Sequence, residues 1–294
     1  MMDIIDSHHH IWRQADLKWL QGPMQPRIFG DYESVRRDYL IEEYLADIAT
    51  SSVRKSVYVQ ANWPTDQFED EVRWVQDQAN SSGWPHGIVG YADVTVPDVR
   101  PQLDRLQPYP AMRGIRQQFH WHENPLYRFA STAVMAEDPL VQANIRKLAD
   151  YGWSFDLQLF AGQMKGAVSL ARACPEITFI LQHAGMPEDL SEEGWASWRD
   201  GMEALARMPN VTSKLSGFGT FVHRVDKDLI KRIIFETVDM FGPDRCMFGS
   251  NFPIEKIWSS YQALVEAHVW AAADLGEDVM RDIFYATAAR VYRL

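Results

Sequence analysis

The stretch Ile5-Asp6-Ser7-His8-His9-His10-Ile11-Trp12 follows directly on Met1, Met2 and Ile4, so an apolar run ends in a cluster of three histidines. A strand that ends at a reactive site has this form. Side chains alternate faces along a strand, which sets His8 and His10 on one face and His9 on the other. Two imidazoles on one face, one strand pitch apart, can chelate a single metal ion. The apolar context between Asp6 and Trp12 is a poor match to a purification tag.

Working outward, seven further short runs rich in β-branched or aromatic residues follow the first, Asp3–Ser7. They are Lys55–Ala61, Gly87–Val94, Ala111–Gln117, Trp153–Leu159, Ile177–Gln182, Val211–Ser216 and Arg245–Ser250. Amphipathic stretches separate most of them: Ile41–Thr50, Phe68–Asn80, Val99–Leu106, Pro139–Tyr151, Gly162–Ala173, Trp195–Met208 and Asp228–Phe241. Tyr261–Trp270 and Asp278–Tyr285 complete the helical set. Alternation of this kind implies a parallel sheet, because parallel strands need crossover connections. No glycine-rich fingerprint follows an early strand, which argues against an open dinucleotide-binding sheet. The pattern predicts an α/β fold, a single TIM-like (β/α)8 barrel over residues 1–294, with its active site at the C-terminal ends of the strands. Two long connections, 13–39 and 119–138, would cover that face.

Of the 294 residues, 46% are apolar and 23% charged, an ordinary balance for a soluble globular protein. A net charge of -11 argues against nucleic acid as a partner. No apolar run approaches the ~20 residues needed to cross a bilayer. The N-terminus lacks a basic region followed by an apolar segment, against secretion. Cys174 and Cys246 read as reduced core residues, and the chain as cytoplasmic. A homo-oligomer is compatible with all of this.

If the barrel forms, the residues at the strand ends converge: His8, His10, Gln60, Asn62, Asp93, Arg116, Gln118, Gln158, His183, Ser216 and Asn251. His183 ends a very apolar strand and reads either as a core histidine or as a partner of His8 and His10. Arg116 can pair structurally with Asp156 or clamp a substrate carboxylate or carbonyl. His120 and His122 lie on the loop beyond and are candidates for the pocket mouth. Trp12, Trp63 and Trp121 are candidates for its walls. Lys214, inside the seventh strand, is expected to point outward to a helix carboxylate.

The segment 5–12, with Gly114-Ile115-Arg116, Leu181-Gln182-His183-Ala184-Gly185-Met186-Pro187 and Phe248-Gly249-Ser250-Asn251-Phe252-Pro253, resembles the amidohydrolase-related (amidohydrolase 2) family. The nearest branch is that of sugar lactonases and 2-pyrone-4,6-dicarboxylate lactonase. The motifs occur in the family's order along nearly the whole chain. The resemblance implies a TIM-like barrel and a hydrolase that opens the lactone of a sugar acid or of an aromatic-catabolism intermediate. It implies His8, His10 and His183 at the active site, and there as the ligands of a divalent metal, zinc first. It leaves a metal-independent route open, because some members of the lactonase branch resemble metal-independent enzymes.

Two positions depart from the wider superfamily. Gln158 stands where a metal-binding histidine usually follows the fifth strand, and Asn251 where an aspartate usually serves as ligand and base. An amide cannot take a proton from water. With metal, three histidine nitrogens would leave an open position for an ionised water. Without it, His183 or His10 would be the base and Arg116 the electrophile. The expected catalytic set is therefore His8, His10, His183, Asn251 and Arg116, and the expected substrate contacts are Trp12, Asn62, Gln158, His120 and His122. The substrate is expected to be a small lactone or carboxylate. The alternatives are a decarboxylase-like barrel and one that binds its ligand without turnover.

Overall fold

The computed structural model describes residues 2–294. Eight parallel strands lie in sequence order: β1 (Ile4–His9), β2 (Val53–Val59), β3 (Gly87–Gly90), β4 (Met112–Gln118), β5 (Ser154–Gln158), β6 (Phe179–Leu181), β7 (Val211–Leu215) and β8 (Cys246–Phe248). The sheet all but closes on itself. Asn251 N donates to His8 O at 2.7 Å, His10 N donates to Phe252 O at 2.7 Å, and His9 bridges Phe252.

The helices between strands are α1 (Ile41–Ile48), α2 (Phe68–Ser82), α3 (Arg100–Leu106), α4 (Pro139–Arg146), α5 (Met164–Ala173), α6 (Glu192–Ala206) and α7 (Lys227–Phe241). After β8 come α8 (Tyr261–Ala272), α9 (Glu277–Arg281) and α10 (Thr287–Tyr292). This is the TIM (β/α)8 barrel that the sequence predicts. The side chains of Asp138, Ser191, Asp226 and Ser260 cap α4, α6, α7 and α8, satisfying backbone N–H groups that no helical carbonyl reaches.

Three boundaries differ from expectation in ways that bear on the site. β1 runs on to His9, so the first two histidines belong to the strand. β3 stops at Gly90 rather than Val94, leaving Asp93 in the loop. The last helical region does not end at Tyr285: a π-helical turn over 282–286 leads into α10. There Ala288 and Tyr292 pack against inward residues of the barrel, among them Ile5, Val57, Ile180 and Met247.

β1 carries an irregularity that sets the histidines' direction. Asp6 pairs with Ser56 and His9 with Tyr58, so three steps on β1 match two on β2. The extra residue breaks strict alternation. Asp6 and His9 both face the helix layer, where Asp6 accepts hydrogen bonds from Tyr44 and Tyr261 at 3.0 Å each and His9 stacks on Tyr44 at 3.9 Å. His8 and His10 face the interior.

Cys174 and Cys246 are buried and unpaired. No helix among the described residues is long and apolar enough to cross a membrane.

Candidate active site

A cavity of about 600 Å³ opens at the C-terminal ends of the strands, a size suited to a small molecule. His10, Arg116, Gln158, His183 and Asn251 form its polar floor, and Trp12, Asn62 and His120 stand on its walls. Of the expected catalytic and substrate-contact residues, two are not on its surface. His8 is fully buried beneath His10. His122 lies outside, 3.8 Å from Glu188 and accepting from Asn124 N at 2.9 Å. Trp63 lines the cavity and Trp121 does not; the latter stacks under Arg128 at 4.8 Å.

Neighbouring groups fix the orientation of two imidazoles. His10 Nδ1 donates to Val59 O at 2.6 Å, which leaves Nε2 as a bare lone pair. That Nε2 lies 3.3 Å from His8 Nε2. His183 Nδ1 lies 2.8 Å from Ser216 Oγ, and its ring centroid is 4.9 Å from that of His8. Gly217 has φ +67°, and a Cβ there would come within 2.6 Å of His183 Nδ1, so only glycine lets the ring sit where it does.

The backbone around the floor is strained. His183, Ala184 and Met186 have φ of 55°, 47° and 48° around Gly185 at 70°, making a short left-handed turn. Each non-glycine residue so placed costs about 1–2 kcal/mol. Trp198 Nε1 donates to Ala184 O at 2.7 Å and holds the turn. Asn62 and Asn251, also on the cavity surface, have φ of 63° and 55°. Such strain concentrates at functional sites.

Arg116 does not pair directly with Asp156. Its Nη1 donates to Gln182 Oε1 at 3.2 Å and faces Gln158 Oε1 at 3.5 Å, and its Nη2 donates to Gln60 O. Burial lowers it to about 10, so it stays charged at neutral pH. Asp156 is taken by Lys214 (Nζ at 2.9 Å) and Gln182 (Nε2 at 2.6 Å). This corrects the expectation for Lys214, which points into the barrel and also meets Tyr292 OH at 2.8 Å. The strands of a barrel are covered on both faces, and every residue of β7 is buried, so a mid-strand lysine had no route to solvent.

With Lys214 neutralised by Asp156, the floor carries the uncompensated charge of Arg116. Burial, then Lys214, holds His8 well below the usual histidine range. Burial, then Arg116, does the same for His10 and takes His183 to about 3. All three imidazoles are neutral at physiological pH.

Sequence reasoning missed several supporting groups. Gln182 lay within a quoted motif but had no role assigned. Tyr292 lay beyond the last predicted helix. Asp6 also accepts from Ser250 N (2.8 Å), Ser250 Oγ (2.6 Å) and His8 N (3.1 Å), tying β1 to the β8 loop. Glu255, fully buried, is raised to about 8 by burial and accepts from Trp258 Nε1 at 2.8 Å; nothing in the local pattern marked it.

A family model described as amidohydrolase matches residues 5–294. The protein y4mH of Sinorhizobium fredii, itself uncharacterised, is 36% identical over 296 residues, covering 99% of this chain and 98% of its own. L-fucono-1,5-lactonase of Burkholderia multivorans is 27% identical over 305 residues, covering 99% and 96%. A crystal structure of an amidohydrolase from Burkholderia multivorans with bound zinc shares the fold with a TM-score of 0.84 at 24% identity, covering 99% of both chains. The family match runs from within β1 past the end of α10, so the chain belongs to the amidohydrolase family and is a hydrolase.

Proposed function

We propose that this hydrolase opens a lactone, the cyclic ester of a hydroxy acid, by attack of water within the cavity floored by His10, His183, Arg116 and Asn251. One observation carries the reading. Arg116 is held by Gln182, Gln158 and Gln60, with no carboxylate among its hydrogen-bond partners, and it lines the same cavity as the neutral imidazoles of His10 and His183. A fixed positive charge beside neutral bases suits a reaction in which a carbonyl oxygen gains charge while water loses a proton. The lactonase relative at 27% identity points the same way.

In this mechanism the ester carbonyl lies against Arg116, whose guanidinium takes up the developing negative charge. His183, oriented by Ser216, accepts the proton of the attacking water through Nε2 as the oxyanion forming beside it favours the imidazolium that burial otherwise disfavours, and returns the proton to the leaving alkoxide. Asn251 lies on the same floor and orients water or substrate through its amide. The product is the ring-opened hydroxy acid.

The donor set fits a divalent metal in part. Two imidazole nitrogens on one zinc, at about 2.0–2.1 Å and a near-tetrahedral angle, stand roughly 3.3–3.4 Å apart. His8 Nε2 and His10 Nε2 are 3.3 Å apart. Among the described residues, however, no group of three or more His, Cys, Asp or Glu side chains stands close enough to hold one ion. His8 and His10 would hold the metal, with His183 drawn in as the third ligand. Bound there, zinc would polarise the carbonyl and lower the pKa of water.

The experiment is a pH-indicator screen of sugar-acid lactones and muconolactone-type compounds, with and without added zinc or manganese. Turnover that Arg116→Met abolishes is the expected result. No turnover across the panel would end the lactonase reading.

A further inference from the structure

The guanidinium of Arg116 and the carboxylate of Asp156 are both buried under the cavity, and Gln182 stands between them. Gln182 Nε2 donates to Asp156 Oδ2 at 2.6 Å, and Gln182 Oε1 accepts from Arg116 Nη1 at 3.2 Å. Those two bonds leave the amide one orientation. A carboxylate only accepts and a guanidinium only donates, so turning the amide over would set oxygen against oxygen and N–H against N–H. Asp156 is itself fixed by Lys214 Nζ at 2.9 Å and by the Tyr292 hydroxyl at 3.1 Å. A chain of buried contacts thus runs from α10 and β7, through β5 and the residue that follows β6, to the guanidinium on β4.

What Gln182 keeps away matters as much as what it holds. A carboxylate in its place would pair with the guanidinium and compensate the charge that the proposed reaction uses. The other acceptors around Arg116, Gln158 Oε1 at 3.5 Å and the backbone carbonyl of Gln60, are neutral too. Asp156 is held one amide away, with Lys214 as its own counter-ion. Gln182 also directly precedes His183, at the entry to the left-handed turn. The residue that sets the guanidinium therefore belongs to the segment that aims the base.

We propose that Gln182 is a positioning residue of the reaction: a neutral spacer, oriented by Asp156, that aims the Arg116 fork at the carbonyl oxygen and leaves its positive charge uncompensated. The proposal rests on the lactone reading for what Arg116 does, and on the hydrogen bonds alone for how Arg116 is held.

Two measurements on the full chain test it, the first without any substrate. Nitrogen-15 NMR detects the Arg116 Nη–H resonances when rotation about the Cζ–Nη bonds is arrested, and their loss in Arg116→Lys identifies them. They should be resolved in the parent and broadened or shifted in Gln182→Met, which keeps the length of the side chain and neither bond. Unchanged resonances in Gln182→Met would overturn the proposal whether or not a lactone is hydrolysed.

The second measurement is steady-state kinetics on the lactone that the screen shows to be hydrolysed fastest. In Gln182→Met kcat should fall about 10²-fold, as for a misaimed catalytic group, with KM changed less than about threefold. In the Arg116→Lys background, which already lacks the fork, the same substitution should cost less than about twofold further. Gln182→Glu has the shape of the parent residue and serves also if Gln182→Met does not fold; its kcat should fall because it sets a negative charge on the guanidinium. An additive loss in the double variant, a change confined to KM, or a parental kcat in Gln182→Glu would each overturn the proposal and keep the lactonase. Altered Arg116 resonances with no turnover of any lactone would end the lactone reading and keep Gln182 as the residue that positions Arg116.

Discussion

Lys214 Nζ lies 2.9 Å from Asp156 Oδ2 inside the barrel, with neither side chain exposed to solvent. Gln182 and Tyr292 complete the cluster: the Tyr292 hydroxyl is 2.8 Å from Lys214 Nζ and 3.1 Å from Asp156 Oδ2. Helix α10 is thus joined to the residues under the candidate site. Burial lowers the Lys214 pKa while Asp156 opposes the shift.

Removing the carboxylate would strand that charge. Asp156→Leu should destabilise the fold by about 3–5 kcal/mol, visible as a Tm lower by on the order of 10 °C. Lys214→Met combined with Asp156→Leu should recover much of the loss, since an apolar pair of similar volume is often neutral. A double variant no more stable than Asp156→Leu would show that the lysine is not the source of the cost.

Stability should peak near neutral pH. Burial takes His120 to about 3 and His268 to about 4, against ~6.5 in the unfolded chain. Below ~6.5 the unfolded chain binds protons that the folded chain refuses. Stability therefore falls as pH drops, by about 1.4 kcal/mol per unit for each such group. Glu71 and Glu255 act oppositely: burial raises them to about 7 and about 8, so the folded chain keeps protons that the unfolded chain releases above ~4.3. Their contribution is lost as pH rises toward those values. Between ~4.3 and ~6.5 these two pairs offset each other, and the further depressed histidines His8, His10 and His183 tip the balance, so thermal denaturation against pH should show the acid limb beginning near ~6.5. Glu255→Gln should gain on the parent between pH ~5 and ~8, with a constant difference beyond; a difference independent of pH would rule out a protonated Glu255.

The barrel was legible because alternation of strand and helix patterns is a long-range signal that survives errors at element ends. The polar floor was legible for a different reason. Barrel strands end at one face, so His10, Arg116, Gln158, His183 and Asn251 converge whatever their exact register. What escaped depends on single-residue geometry. The irregularity at Ser7–His8 turns His8 inward although Asp6, two residues earlier, faces the helices. Parity alone could not report that. Lys214 was misread because a polar residue in a strand suggests a solvent face, which an internal barrel strand does not have. His122 shares a loop with His120, yet local turns carry it to Glu188.

Arg116 tests the reaction most directly. Arg116→Lys keeps the charge but loses the fork that meets Gln182, Gln158 and Gln60 together. If the guanidinium receives the oxyanion, kcat should fall about 10²–10³-fold with KM changed much less. Circular dichroism would verify the fold. A fall in KM-controlled affinity with kcat intact would make Arg116 a binding residue instead.

Asn251 offers the last test, because it separates the two routes to an ionised water. The residue sits on the cavity floor with φ 55°, its backbone N–H fixed to His8 O at 2.7 Å. Restoring a carboxylate by Asn251→Asp would add an anionic donor beside the His8–His10 pair, whose Nε2 separation already suits one ion. Elemental analysis after dialysis against zinc should then show more metal retained than by the parent, and His8→Ala/His10→Ala should retain none at this site. Removing metal with a chelator should depress Asn251→Asp activity more than that of the parent, for which the proposed route gives the proton to His183 and the charge to Arg116. Equal zinc in all three proteins would exclude the histidine pair as ligands and leave the neutral-imidazole route.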